Sequence, residues 1–190
     1  MDPAARRDLL LTAAAELFEN EPYDQLTIER FAEECGASVG LIYHYFGNKR
    51  GLYLAFVQRA LEEMIDAVQD PGPQLALDER FRRALIAYID FITERPRSYV
   101  AVLNAGVGTD PEVARLLHAA RGHFERLIAE ALGAPVGEPR LAVAIGGWIG
   151  LLERTCSRWL AEPTVSRDEL REFLVHSALA VIAPIANAAE

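Results

Sequence analysis

Apolar residues recur along this chain at intervals of three and four, with no convincing two-residue alternation, which predicts amphipathic helices rather than strands. Leu10, Ala13, Ala14, Leu17 and Phe18 form the first stripe and predict a helix over residues 4–20. Glu21-Pro22-Tyr23-Asp24 is a turn. A second helix starts at Thr27, turns Ile28, Phe31 and Ala32 inward, and stops at Gly36. A third runs over 38–46, and a fourth over 48–69 carries Leu52, Phe56, Ala60 and Met64 four apart. Asp70-Pro71-Gly72-Pro73 closes it. Helical segments 75–94, 97–107, 110–132, 138–160 and 166–187 follow. They are separated by Arg95-Pro96, by Asp110-Pro111 (a cap with proline at the first helical position), by the loop Gly133-Ala134-Pro135-Val136-Gly137, and by the capping box Ser166-Arg167-Asp168-Glu169. The predicted fold is all-α, with about nine helices.

The third helix is the informative one. Tyr43-His44-Tyr45-Phe46 are consecutive, and at about 100° per residue they sweep most of the way round a helix. One buried face cannot take all four rings. Ile42 and Phe46, four apart, are its core contacts, which leaves Tyr43 and His44 outward. Gly36 supplies the turn before it, Ser38 its N-cap, Gly47 its C-cap, and Asn48 the cap of the next helix. Lys49 and Arg50 then fall in the first turn of helix four, where cations oppose the helix dipole. An anion bound there removes the conflict. Helix, glycine turn, short aromatic helix and cationic helix start predict a helix-turn-helix that grips phosphate.

Composition narrows the partners. With 51% apolar and 25% charged residues in 190, the chain can bury a proper core. A net charge of −9 is not that of a protein that coats nucleic acid. Residues 1–50 hold five Lys or Arg against nine Asp or Glu, a net of −4, so DNA binding requires the positive groups to cluster on one face. Lys49 is the only lysine. Cys35 and Cys156 are too few for a disulfide framework and read as small buried apolar residues. Acidic residues break any signal-peptide core near the start, and the run 141–152 is too short to span a bilayer. A soluble, cytoplasmic protein is expected.

Residues 5–60 resemble the DNA-binding domain of tetracycline-repressor-like (TetR) transcriptional regulators. The matching stretches are LLLTAAAELFEN, the start at Leu26-Thr27, the turn GAS, IYHYF and GNKRGLYLAF, with the family's spacing from Thr27 to Lys49. The resemblance implies a helix-turn-helix DNA-binding domain over residues 1–50, helix 48–70 as connector, and a ligand-binding and dimerisation domain over 51–190. It implies a homodimer on a palindromic double-stranded DNA operator, acting as a repressor and released by a small hydrophobic effector. No cofactor, metal or membrane is implied. It further implies that Tyr43 contacts a base or sugar, that Ser38, His44, Tyr45 and Lys49 lie on phosphates, and that Thr27 holds the start of helix two against the backbone. Val39 and Gly40 belong to the same interface. The chain departs from the family at Ile28, where many relatives carry Thr, Ser or Arg, and at Val39 and Leu41, which are apolar where polar base-contacting residues often occur.

The resemblance also implies an effector cavity between the middle helices. Phe91, Leu103, Val107, Leu117, Phe124 and Trp148 are candidate apolar walls, with Tyr88, Asn104, His118 and Arg121 as polar groups. The aromatic members read more often as core than as pocket. In the segment 140–158, Ala142, Gly146 and Gly150 fall four apart and make a flat strip. It fits either close packing inside the subunit or a twofold contact shared with Phe173, Leu174, Ala178 and Val181 of the last helix. Catalysis is not expected: His118 and His123, five apart, lie on different faces of a helix, and no nucleophile elbow, phosphate loop or Cys-x-x-Cys occurs. The rival reading is a helical small-molecule-binding or interaction module without specific DNA binding, which the acidic balance and Ile28 keep open.

Overall fold

The computed structural model describes residues 2–105, 110–135 and 137–187. Among these, helices follow one another without a strand: α1 (Pro3–Asn20), α2 (Ile28–Glu34), α3 (Val39–Phe46), α4 (Lys49–Ala67), α5 (Leu77–Glu94), α6 (Pro96–Ala105), α7 (Pro111–Ala131), α8 (Pro139–Ala161), α9 (Arg167–Val181) and α10 (Ala183–Asn187). The all-α expectation holds. A 3-10 turn, Tyr23–Gln25, joins α1 to α2. The segment expected as one last helix is two. Pro184 has no N–H to donate to the preceding turn, and the helix stops at Val181 and restarts at Ala183.

The chain forms two compact units, Met1–Leu61 with Arg97–Leu116, and Glu62–Pro96 with Leu117–Glu190. Helices α4 and α7 each contribute to both. The first unit draws α6 and the start of α7 from much later in the chain. Two long-range contacts tie them in. Arg97 donates to Asn20 Oδ1 at 2.7 Å, and Arg50 pairs with Asp110.

In the first unit Leu10, Leu11, Ala14, Leu17 and Phe18 of α1 are buried against Phe31 and Ala32 of α2 and Leu52, Phe56 and Val57 of α4. Phe18 is the hub, with ring centroids 4.9 Å from Phe31, 5.2 Å from Tyr53 and 5.0 Å from Phe56. The buried stripe of α4 continues through Val57 and Leu61, not through Ala60 and Met64, which are half-buried. The reason is geometric: a strict four-residue spacing drifts by about 40° per step round a helix, so the core face returns by threes as well as fours.

The second unit packs α5 on α9, and α9 on α8 and α10. Trp148 of α8 is buried, meets Phe81 of α5 edge-on at 5.9 Å, and donates its indole N–H to Ser177 Oγ of α9 at 3.0 Å. Arg82 of α5 reaches Glu172 of α9 through two hydrogen bonds, at 3.2 and 3.0 Å. Arg80 of α5 pairs with Asp70 and donates to the Ala131 carbonyl at 2.7 Å, tying two chain turns to one helix. Glu169 and Ser166 form the expected capping box at the start of α9. Cys156 is fully buried, and burial pushes its thiol up to about 12. Cys35 is only half-buried, its thiol 3.6 Å from the Leu10 carbonyl.

Only two residues, Gly47 and Asn48, join α3 to α4. Gly47 sits at φ +76, a conformation that strains any other L-residue, and its N–H returns to the Tyr43 carbonyl at 2.8 Å. Asn48 Oδ1 accepts the Gly51 N–H at 2.8 Å and caps α4. A side-chain carbon at position 51 would overlap the Phe46 carbonyl oxygen, so glycine there lets the two helices meet. Gly51→Ala should therefore destabilise the protein by about 1–3 kcal/mol, read as a lowered thermal midpoint. An unchanged midpoint would show that the junction relaxes freely.

Candidate nucleic-acid interface

Helix α3 is set by its two ends and its buried side. Ser38 Oγ accepts the Leu41 N–H at 3.2 Å, and Thr27 Oγ1 accepts the Arg30 N–H at the same distance, so each hydroxyl caps its helix. Gly36 at φ +56 makes the turn between α2 and α3, with the Ala37 N–H closing onto the Ala32 carbonyl at 2.9 Å. Ile42 and Phe46 are buried as the spacing predicts. Burying them leaves Tyr43 at 47% exposure, with Thr27, Ser38, Gly40 and His44 also exposed and Val39, Leu41 and Tyr45 half-buried. The Tyr45 ring stands edge-on to His44 at 5.2 Å. Ile28, the departure noted above, is a core residue: its side chain is buried, and a polar group there would lose its water.

The cations of this unit are mostly held. Lys49 Nζ lies 4.2 Å from the centre of the Tyr23 ring, a cation–π contact that fixes the lysine at the start of α4. The Arg7 guanidinium lies 5.2 Å from the Phe46 ring centre. Arg30 pairs with Glu34 at 2.9 Å and with Glu21 at 3.5 Å, and Arg59 pairs with Asp8 at 3.0 Å. Arg50 is engaged most completely: its Nε and Nη2 donate to the two oxygens of Asp110 at 2.6 and 2.8 Å. The charge conflict expected at the start of α4 is thus answered inside the chain. Sequence reasoning missed both Tyr23 and Asp110. Tyr23 sits in a turn whose composition signals only a turn, and Asp110 lies 60 residues from its partner, so nothing local announces either.

The other expected sites are less gathered. An open groove of about 390 Å³ in the second unit is bordered by Glu63, Asp66, Asp90, Phe91, Glu94 and Arg95, with two alanines. Of the residues expected to wall an effector cavity, only Phe91 borders it, and four carboxylates and one guanidinium stand around it. Arg95 already fills part of it, 5.2 Å from the Phe91 ring and 3.8 Å from Glu63. Tyr88, Leu117 and Trp148 are buried, Leu103 and Phe124 half-buried, and His118 exposed. Arg121 is bound by Glu153 at 2.9 and 2.8 Å. Val107 and the Asn104 side chain lie outside the described residues. Of the expected interface residues, Gly150, Phe173 and Val181 are exposed, and Ala142 and Gly146 half-buried. Leu174 and Ala178 are fully buried within the subunit and are corrected to core; each lies about 100° or more round α9 from Phe173.

Family models match over most of the chain. Residues 10–56 match the model described as bacterial regulatory proteins, tetR family, and residues 77–181 match the tetracyclin repressor-like C-terminal domain. The chain belongs to the tetR family. A tetR-family transcriptional regulator from Streptomyces coelicolor superposes with a TM-score of 0.86 at 31% identity, covering 100% of this chain and 85% of that one. An HTH-type transcriptional activator, FasR of Mycolicibacterium smegmatis, is 32% identical over 57% of this chain and 50% of its own length. The HTH-type transcriptional repressor AcnR of Corynebacterium glutamicum is 33% identical over 37% of each chain. The chain therefore spans half or less of the length of these curated relatives. These tetR-family relatives are named as transcriptional regulators, not enzymes. No helix among the described residues is long and apolar enough to cross a membrane.

The Arg50–Asp110 bridge has a defined acid limit. Asp110 is lowered from 3.8 to about 2, first by the Arg50 hydrogen bond and then by backbone N–H groups of α7, which outweigh its desolvation. Because the folded value is the depressed one, the stabilisation is complete above the unfolded value near 3.8 and is lost as pH falls toward about 2. A carboxyl carbon titration of Asp110 by NMR should show it ionised at pH 4, and a midpoint at or above 3.8 would mean the bridge is not formed in solution.

Proposed function

We propose that the chain is a homodimeric DNA-binding transcriptional regulator that reads a palindromic operator through α3 and is released by a small hydrophobic effector. The observation that carries this is the exposed Tyr43 and His44 on a capped two-turn helix whose other side is locked into the core. Ser38 caps the start of α3, Tyr45 stands in its last turn and Lys49 opens α4, and with Thr27 at the start of α2 these are the groups assigned to phosphates. Val39 and Gly40, in the first turn of α3, allow close approach. The aromatic side chains offer apolar contact with a thymine methyl or sugar in place of polar readout at Val39 and Leu41. Repression is the simplest outcome, since a dimer seated on an operator that overlaps a promoter excludes polymerase.

The dimer reading is supported by an apolar face on α8 and α9. Val143 is 77% and Phe173 52% exposed, and Val181, Gly147 and Gly150 are exposed too. Nothing lies near a side chain added at Gly147 or Gly150, so the subunit's own packing does not require glycine there. A second helix backbone approaching this strip does. Glycine in a helix costs on the order of 1 kcal/mol against alanine, which a close helix–helix contact offsets.

Selection of bound duplexes from a random DNA pool should return a palindromic site, and a screen of apolar small molecules against that site should return one that releases it. Tyr43→Ala should lose at least tenfold in affinity for that site, equivalent to about 1.4 kcal/mol. A pool that never converges would favour an interaction module instead. Separately, Gly150→Leu should leave the subunit folded and shift sedimentation from dimer to monomer. A dimer that survives this change would place the twofold contact elsewhere.

A further inference from the structure

We propose that Asp110 is an intramolecular counter-ion for Arg50: it occupies the guanidinium that would otherwise take a DNA phosphate, so the start of α7 sets how strongly the reading unit holds the duplex. This rests on the DNA-binding reading above and assigns its regulation to one ion pair.

Three observations carry it. Arg50 stands in the first turn of α4, one residue from Lys49 and two from the Asn48 cap, at the helix end that faces an anion. Its side chain is 54% exposed, yet Nε and Nη2, an edge of the fork that suits a phosphate, are both spent on the two Asp110 oxygens. Asp110 in turn is fixed to α7. Its Oδ1 also accepts the Glu112 N–H at 3.0 Å, and Val113, one residue further, is fully buried. The carboxylate therefore travels with the first turn of α7, and α7 continues into the second unit. A shift of that turn of an ångström or two is enough to separate a 2.6 Å contact, after which Arg50 is free to add a phosphate contact. The same carboxylate, left in place, repels phosphate from the α4 start. Whatever displaces α7 thus alters DNA affinity without touching α3.

Asp110→Asn is a suitable probe because asparagine also caps helices. The wild-type protein, D110N and the double variant R50Q/D110N are titrated with a fluorescein-labelled duplex of random sequence between about 50 and 200 mM salt. D110N should bind more tightly, with a log K against log salt slope steeper than wild type by about 0.9 per subunit. The double variant should match wild type in slope, because in both the Arg50 charge is unavailable. D110N unchanged or weaker than wild type overturns the proposal, and so does a double variant with a flatter slope, which would place Arg50 on a phosphate already. If wild type does not bind the duplex at all, the DNA-binding reading falls and this inference with it. Binding by wild type without the D110N gain overturns this inference alone.

Discussion

The packing of Phe18 against Phe31, Tyr53 and Phe56 is the contact on which the first unit depends. One ring brings α1, α2 and α4 to a common centre, with centroids no further than 5.2 Å apart. Tyr23 joins the same cluster at 4.8 Å from Tyr53, although it belongs to a turn and not to a helix. Its outer side then carries Lys49. The apolar centre and the cation at the start of α4 are thus two ends of one stack. Burial, with the Tyr23 and Asp110 charges adding to it, pushes Tyr53 up to about 12, so the cluster stays neutral across ordinary pH.

Charge in this unit is handled by pairing more than by excess. Its acidic balance would repel a duplex if the carboxylates were all free, but Glu34, Asp8 and Asp110 face Arg30, Arg59 and Arg50. Exposed pairs of this sort add little stability, with a median near 0–1 kcal/mol. Their consequence is positional: they decide which side of each helix shows charge. Around α3 this leaves an edge made of a tyrosine, a histidine, capping hydroxyls and Lys49, small in charge and rich in rings.

The second unit separates two kinds of surface. Two indoles help close its core, Trp148 donating to Ser177 Oγ and Trp159 to the Val165 carbonyl at 2.8 Å. Phe173 and Val181 of α9 and Val143 of α8 remain outside that closure. Opposed to this apolar face in character is the acidic groove beside Phe91, where Arg95 and the Arg167–Asp90 pair at 3.5 Å already balance part of the charge. Of the residues that the family likeness implies for an effector cavity, Phe91 borders this groove.

Local rules in the sequence carry far in this protein. The helix caps at Thr27, Ser38, Ser166 and Asp110, the turns at Gly36 and Gly47, and the inward pair Ile42 and Phe46 are all set by residues within one or two turns of each other, and the structure shows each as the spacing implies. Side-chain periodicity likewise told Tyr43 from its buried neighbours. The failures share another cause. Whether Leu174 faces a partner or its own core, whether Ala60 or Val57 is buried, and where Arg50 spends its charge depend on helices far away in sequence. A helix carries no record of which neighbour will cover a given side, because many sides are apolar enough to be covered. That choice was made only when the tertiary fold brought Asp110 to Arg50 and α5 to α9.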